Sequence, residues 1–364
     1  MKVDFTKYNT AARICNHVFN LLKRKIENNE VLDIKTLYDI GMKEIEVVCN
    51  NAYKKIERKG VAYPISINLN NCVDHYIPDL DYKKEQNSVI KEQNSIIKDN
   101  DIVKIKLGVD IDGCIAMYCN TFIYTKNNNV IGENLTISKN EHIKQSEYYI
   151  DFLNRLQNDI TKQMFSGNTN DELKILIESK CTEYNLFPLI NCKSYEHTGN
   201  QIYNNDGKYM ILNYKRLYDK DDYLLVDNEC FEFLEDEVYT ININVVPEDM
   251  NDDNNIDKCK ENYTDVYTDE DNSRIYRLND LFYSFKLKAS KNFFSTVYKK
   301  HHYNAFNISE YTYDMNMKFG MKECKRSNVL QNLPLMYTKN KNTVYSISFT
   351  VVVRKDCGYM LKYK

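Results

Sequence analysis

The stretch "DIVKIKLGVDIDGCIA", residues 101–116, decides the fold. Val103, Ile105 and Leu107 fall at alternate positions, the period of a strand with one apolar face. Gly113 marks a turn, and the residues up to 124 continue as a second strand, so the segment predicts an antiparallel pair. The same alternation points Lys106 away from the apolar face. What an ammonium group does there is the question the sequence raises.

On the N-terminal side two amphipathic helices are expected. Over 8–28, Ile14, Val18, Leu21, Leu22 and Ile26 recur at helical spacing, with Asn9 or Thr10 as the cap. Over 34–57, Leu37, Ile40, Ile45, Val48 and Ala52 form the buried stripe. Residues 61–79, "VAYPISINLNNCVDHYIPD", change to strand and loop between Pro64 and Pro78. Residues 84–97 repeat "KEQNSVI" as "KEQNSII". The heptad step fits a helical arm or coiled coil, but a duplication in an exposed loop is the simpler reading. On the C-terminal side helices are expected around 140–166 and 170–184, and strands at 186–192, 235–247 and 343–355. Residues 248–273 are polar and acidic, as in a surface loop. Helices precede strands twice, which predicts an α+β protein with two related halves.

At 364 residues the chain suggests about two domains or pseudo-domains, and its 43% hydrophobic content supports a packed core. No apolar run approaches the ~20 residues that span a bilayer. The first residues contain no apolar h-region, so no secretory signal is expected there. Eleven cysteines without a C-x-x-C pair suit reduced thiols in a cytosolic or nuclear setting, not a disulfide framework or zinc ribbon. A net charge of −3 predicts no polyanion partner by itself, but the charge is unevenly distributed.

Several segments together resemble the methionine aminopeptidase family. "NNCVDHYIP" is similar to its Asn-Asn-Cys-x-x-His-(Tyr/Phe)-x-Pro segment, "DIVKIKLGVDIDGCIA" to its Lys-Ile-Asp-(Leu/Phe)-Gly strand pair, and "EDEVYTI" and "YSISFTVVV" to its last two site strands. An insertion between those last strands marks the type 2 branch. Within that branch, "KGVAYPISINLNNCVDHYIP", "KLKASKNFFSTVYKK" and "GMKECKRSNVLQNLPLMY" resemble the ErbB3-binding protein, or proliferation-associated protein, family, in order and spacing over roughly 8–355. The resemblance implies an α+β pita-bread (creatinase/aminopeptidase) fold. Residues 1–278 and 341–364 would form the aminopeptidase-like domain and 279–340 a type 2 insert subdomain.

The enzymes of this family hold two metal ions with two Asp, one His and two Glu, a donor set suited to activating water on divalent ions. Laid on this sequence, the first Asp position falls on Lys106, two before Gly108, and the second on Met117, four after Gly113. The His position falls on Cys192, four after Pro188; the Glu positions fall on Asn242, three after Tyr239, and Ser348, two before Thr350. The resemblance therefore implies that all five ligands are replaced and that no metal cofactor is held. Lys106 either fills the vacated space as a resident cation or lies at the sheet rim with its ammonium in water. Asp101 and Asp112 share the family's spacing of eleven, but that frame would shift the strand off Gly108 and move its apolar face. His75 matches a family His that contacts substrate; here it either lines a peptide-sized groove or is a hydrogen-bonded structural residue.

Residues 286–302, "KLKASKNFFSTVYKKHH", carry Lys286, Lys288, Lys291, Lys299 and Lys300 and no acid. A helix capped by Ser290 is expected to bury Phe293, Phe294, Val297 and Tyr298 as one stripe. Lys318, Lys322, Lys325 and Arg326 add a second basic cluster, and "LLKRK" (21–25) and "YKKIERKG" (53–60) a further basic surface. Such clusters suit a phosphate backbone or are simply a solvated helix face. In the resembled family, and in export factors of the same fold, the insert contacts ribosomal RNA and proteins around the nascent-chain tunnel exit. The resemblance thus implies a non-catalytic protein bound to the large ribosomal subunit, its rRNA and its tunnel-exit proteins, acting in ribosome maturation or translation regulation. It would be cytoplasmic and ribosome-associated, with a nuclear or nucleolar pool, and without a membrane or small-molecule partner. The rival expectations are a metalloaminopeptidase with relocated ligands and a peptide- or protein-binding adaptor using the pocket around His75.

Overall fold

The structure, a computed structural model, describes residues 3–78, 95–126, 136–189, 192–199, 201–203, 207–212, 230–247 and 266–363. The heptad repeat lies outside these residues except at its end, where Ile34 donates its N–H to the Ser95 carbonyl and Ile97 donates to that of Leu32. The expected acidic loop lies outside them up to residue 265.

Helix α1 (Phe5–Glu27) begins earlier than Asn9 or Thr10. Its cap is Asp4, whose carboxylate accepts the N–H groups of Thr6 and Lys7 at 3.1 Å. Helix α2 (Ile34–Ala52) is capped by Asp33 and stops short of residue 57. The chain then turns into β1 (Lys59–Leu69), and the Lys59 ammonium holds the Tyr53 carbonyl at that turn. Pro64 sits inside β1, where the pairing register shifts, so its missing N–H removes no ladder bond that a regular strand would need.

After the short β2 (Cys72–Asp74) come β3 (Ile102–Ile111) and β4 (Cys114–Ile123), the expected antiparallel pair. Ile111 faces Cys114 across the two-residue turn Asp112–Gly113, with φ of +56° and +83°. An Asp-Gly pair suits the two positive φ values of such a hairpin turn. Helices α3 (Thr136–Gln163) and α4 (Asn170–Glu183) follow, the second started by a reciprocal Thr169–Glu172 capping box. Next are β5 (Leu186–Pro188), β6 (Lys193–Glu196), β7 (Tyr209–Ile211), β8 (Val238–Pro247), β9 (Val266–Asp269) and β10 (Ile275–Leu278). The expected loop is therefore strand at 266–269: β9 pairs with residues 335–338, which satisfies its backbone groups while its side chains stay exposed or half-buried. The chain continues with α5 (Lys288–His301), β11 (Phe306–Asn307), a 3-10 turn (Ile308–Tyr311), α6 (Met315–Arg326), β12 (Leu330–Leu333), β13 (Leu335–Thr338), β14 (Tyr345–Val352) and β15 (Tyr359–Met360).

Among the described residues the main sheet has nine strands in the order β1-β3-β4-β14-β8-β6-β7, with β5 added on β8 and β15 on β14. Two small sheets, β11-β10-β12 and β2-β13-β9, accompany it. One face of β3, carrying Val103, Ile105, Leu107, Val109 and Ile111, shares a core with Leu22 and Ile26 of α1 and Leu37 and Ile45 of α2. Covering both faces is why all ten residues of β3 are buried, including the polar ones on the opposite face. A second core joins Tyr276 and Leu278 of β10 to Phe293, Val297, Phe306, Met321 and Leu330. No helix among the described residues is long and apolar enough to cross a membrane.

Candidate functional site

The register of four neighbouring strands sets the site. Lys106 of β3 faces Cys119 of β4, Cys119 faces Ser348 of β14, and Ser348 faces Asn242 of β8. Three of the five expected positions, Lys106, Asn242 and Ser348, thus meet around one gap, with Asn68, Asp74, Cys119 and Ser346 in the same wall. The gap measures about 10 Å³, room for roughly one water molecule. The Oδ1 of Asn242 and the hydroxyls of Ser346 and Ser348 are buried beside it without a hydrogen-bond partner among the described residues.

Lys106 does not snorkel to the rim: it is 5% exposed. Its ammonium bonds Asp74 Oδ2 and lies 5.3 Å from the centre of the Tyr63 ring. The other oxygen of Asp74 accepts the His75 N–H at 2.8 Å and the Tyr63 hydroxyl at 3.3 Å. Burial alone would drive a proton onto Asp74 and off Lys106. For Asp74 the Lys106 charge and hydrogen bond, with the His75 backbone N–H, outweigh burial and hold the carboxyl below its usual range. For Lys106 the Asp74 charge and hydrogen bond outweigh burial and hold the ammonium above its usual range. The pair therefore stays ionised.

His75 is tied into the same network. Its backbone adopts φ +72°, and Nδ1 lies 2.6 Å from the Tyr63 hydroxyl oxygen. Burial pushes its pKa down to about 4; Asp74 opposes that and Lys106 adds to it, so the ring is neutral at pH 7. Two residues from Lys106 on the same face of β3, Lys104 is fully buried. Its ammonium donates to the carbonyls of Asn70 at 2.7 Å and Val344 at 3.0 Å. Burial lowers its pKa to about 8.

Met117 and Cys192 do not line the gap. Met117 faces Gly108, and its sulfur lies 2.4 Å from where a Cβ on that glycine would be. The glycine makes room for the thioether, which is fully buried. Cys192 packs with Val73, Leu189, Val246 and Val344, and burial pushes its thiol up to about 12, so it is no thiolate ligand. Asp101 and Asp112 lie at opposite ends of β3. Asp101 accepts from Asn70 Nδ2 at 2.8 Å, and Asp112, in the turn, accepts from Lys7 at 2.7 Å. Among the described residues no three His, Cys, Asp or Glu side chains gather as a metal-holding group. An ammonium inside the cluster, one carboxylate already engaged and a neutral thiol outside it do not fit a binuclear divalent centre.

Asp74, Lys104 and Cys119 escaped the sequence reading. A two-residue turn at Asp112–Gly113 fixes Cys119 opposite Lys106, so that signal was present. Asp74 adjoins His75 in the quoted segment, and any buried ammonium calls for an anion. The carbonyl partners of Lys104 leave no side-chain signature.

Lys286, Lys288, Lys291, Lys299, Lys300, Lys318, Lys322, Lys325 and Arg326 are all exposed. Lys300 pairs with Glu310 at 2.6 Å, and Lys325 donates to the Tyr276 hydroxyl at 2.8 Å. Of the basic surface expected on the first helices, Lys25 at the end of α1 pairs with Glu30 at 3.1 Å, and 53–58 lie beyond α2, where Arg58 pairs with the buried Asp110 at 2.8 Å. Ser290 is not the cap of α5: it is buried inside the first turn. Glu323 of α6 instead accepts the N–H groups of Lys286 at 2.8 Å and Leu287 at 3.2 Å, just before the helix. The expected apolar stripe is narrower, with Phe293 and Val297 buried, Phe294 half-buried and Tyr298 exposed.

The sequence matches metallopeptidase family M24 over residues 6–216. It is 26% identical over 356 residues to proliferation-associated protein A of Dictyostelium discoideum, covering 97% of this chain and 80% of that protein. It is 27% identical to ErbB-3 binding protein 1 of Solanum tuberosum, covering 96% and 78%. Among solved structures, a thermophilic Arx1 aligns with a TM-score of 0.72 at 19% identity, over 98% of this chain and 90% of that one. A methionine aminopeptidase of Thermotoga maritima aligns with a TM-score of 0.53 at 10% identity, over the full length of both. The fold is therefore the pita-bread fold of these proteins.

Proposed function

The chain belongs to metallopeptidase family M24, and from that premise we propose that it is a non-catalytic member that binds the large ribosomal subunit near the nascent-chain tunnel exit. It resembles the ErbB3-binding and proliferation-associated proteins over nearly its whole length. The observation that carries the loss of catalysis is the Lys106–Asp74 ion pair, in the row of positions where the enzymes of the family keep acidic ligands. A built-in ammonium there repels a divalent ion and occupies the nearest carboxylate.

The surface then does the work. Within residues 279–340 ten lysines and arginines face four carboxylates, a net of +6 in a chain whose total is −3. The exposed lysines suit RNA phosphates, where affinity comes from releasing counterions. The role would be in ribosome maturation or in regulating translation, in the cytoplasm with a nuclear or nucleolar pool. Cosedimentation of the protein with large subunits from cell extract tests this. We expect association that falls steeply between about 50 and 200 mM salt and that weakens when Lys291, Lys299 and Lys300 are reversed to Glu. Absence of the protein from the large-subunit fractions at low salt would refute the proposal.

A further inference from the structure

We propose that Asp110 is a positioning residue: its buried carboxylate bolts the insert to the rest of the chain and so fixes the direction in which α5 presents its lysines; the link to those lysines rests on the ribosome-facing reading of the insert proposed above. Asp110 sits at the end of β3, beside the Asp112–Gly113 turn, and is 1% exposed. Its Oδ1 accepts the Gly113 N–H at 2.7 Å. Its Oδ2 accepts from Arg58 Nε and from Asn304 Nδ2, both at 2.8 Å. One oxygen thus joins Arg58 of the body to Asn304 of the insert. A carboxylate this far from water depends on such donors, and solvent does not replace one that is removed.

Asn304 opens a run of four residues that stitch the two parts together. Ala305 donates its N–H to the Ala62 carbonyl of β1 at 3.0 Å and packs in the main core. Phe306 packs in the insert's own core, stacked on His301 with ring centres 4.8 Å apart. Asn307 donates to the Tyr38 hydroxyl of α2 at 3.3 Å. Asn304 and Asn307 both donate across the seam, but Asp110 is a charged acceptor and Tyr38 a neutral one, so the Asn304 bond is the stronger.

The stitch leaves little slack before α5. His302 ends that helix at φ +53°, and the Asn304 N–H returns to the His301 carbonyl at 2.9 Å. Lys299 and Lys300 lie in the last turn of the helix. Holding Asn304 therefore holds the end of α5. A helix held this way brings its cations to a partner already oriented, so less freedom is lost on binding.

The test is hydrogen–deuterium exchange on the full chain, read at residues 302–308, together with cosedimentation. Asn304→Ala should speed exchange there about 10-fold, while segments inside α5 and β3 exchange as in wild type. Large-subunit binding should weaken about 5-fold with the same salt slope, since no lysine is lost. Asn304→Asp sets a second carboxylate against Asp110 and should open the seam further. Combining it with Asp110→Asn returns one donor and one acceptor, and should restore both protection and binding. Unaltered exchange at 302–308 in Asn304→Ala, or no recovery in the double variant, overturns the bolt. So does exchange that quickens evenly along the whole chain, which marks a general loss of stability. An opened seam with wild-type binding overturns the part Asp110 plays in presenting the lysines. If wild type does not cosediment at all, the ribosome reading falls, and exchange still decides whether Asp110 holds the insert.

Discussion

Lys106 and Lys291 carry the same ammonium group in opposite settings. The first is buried against Asp74 in the main sheet; the second stands in water on α5 without a carboxylate partner among the described residues. Inside, the cation is fixed and its charge is cancelled by one carboxylate. Outside, its charge is balanced only by mobile salt and is available to a polyanion. The difference teaches that one scaffold can hold a cation inside its sheet, cancelled by a carboxylate, while the cations of its insert stay open to solvent.

The largest effect should come from breaking the inner pair. Lys106→Met leaves Asp74 buried without its cation and should cost about 3–5 kcal/mol in urea unfolding. Adding Asp74→Leu should recover most of that loss, because the desolvated carboxylate goes too. A single variant as stable as wild type would show that the pair contributes nothing.

The next effect is a pH dependence. The pKa of His75 in the fold lies near 4, below its ordinary 6.5. The unfolded chain therefore takes up the proton first. The contribution of His75 is complete above about pH 6.5 and is lost as pH falls towards 4, a loss of up to about 3 kcal/mol. His75→Asn should flatten the stability curve across that window. A curve of identical slope in the variant would contradict the buried neutral ring.

The smallest effects separate the outer lysines from one another. Lys291→Ala and Lys300→Ala should each change stability by less than about 0.5 kcal/mol. Lys291→Ala should weaken large-subunit binding more than Lys300→Ala, because Glu310 already neutralises Lys300. The opposite ranking in cosedimentation would remove Lys291 from the contact.

Much of the fold could be read from the chain because it rests on local patterns. The β3–β4 pair followed from alternation and one glycine turn, and α1 and α2 followed from periodic apolar positions. What failed was set by distant partners. The strand at 266–269 exists because β13 lies beside it. The start of α5 is held by Glu323, thirty-odd residues away, so Ser290 was misread as its cap. At the site, the identities of Lys106, Asn242 and Ser348 were visible, and their row across the sheet followed from the resemblance. The choice between a buried and a snorkelling Lys106 was not visible, because it depends on whether β2 delivers a carboxylate.

The most direct test of the account is metal titration of the purified protein, with isothermal calorimetry in manganese or cobalt followed by incubation with a Met-initiated peptide. The account predicts no stoichiometric ion binding and no methionine released, because Lys106 already supplies the cation that Asp74 holds. Two ions bound per chain, with methionine appearing in proportion, would contradict it.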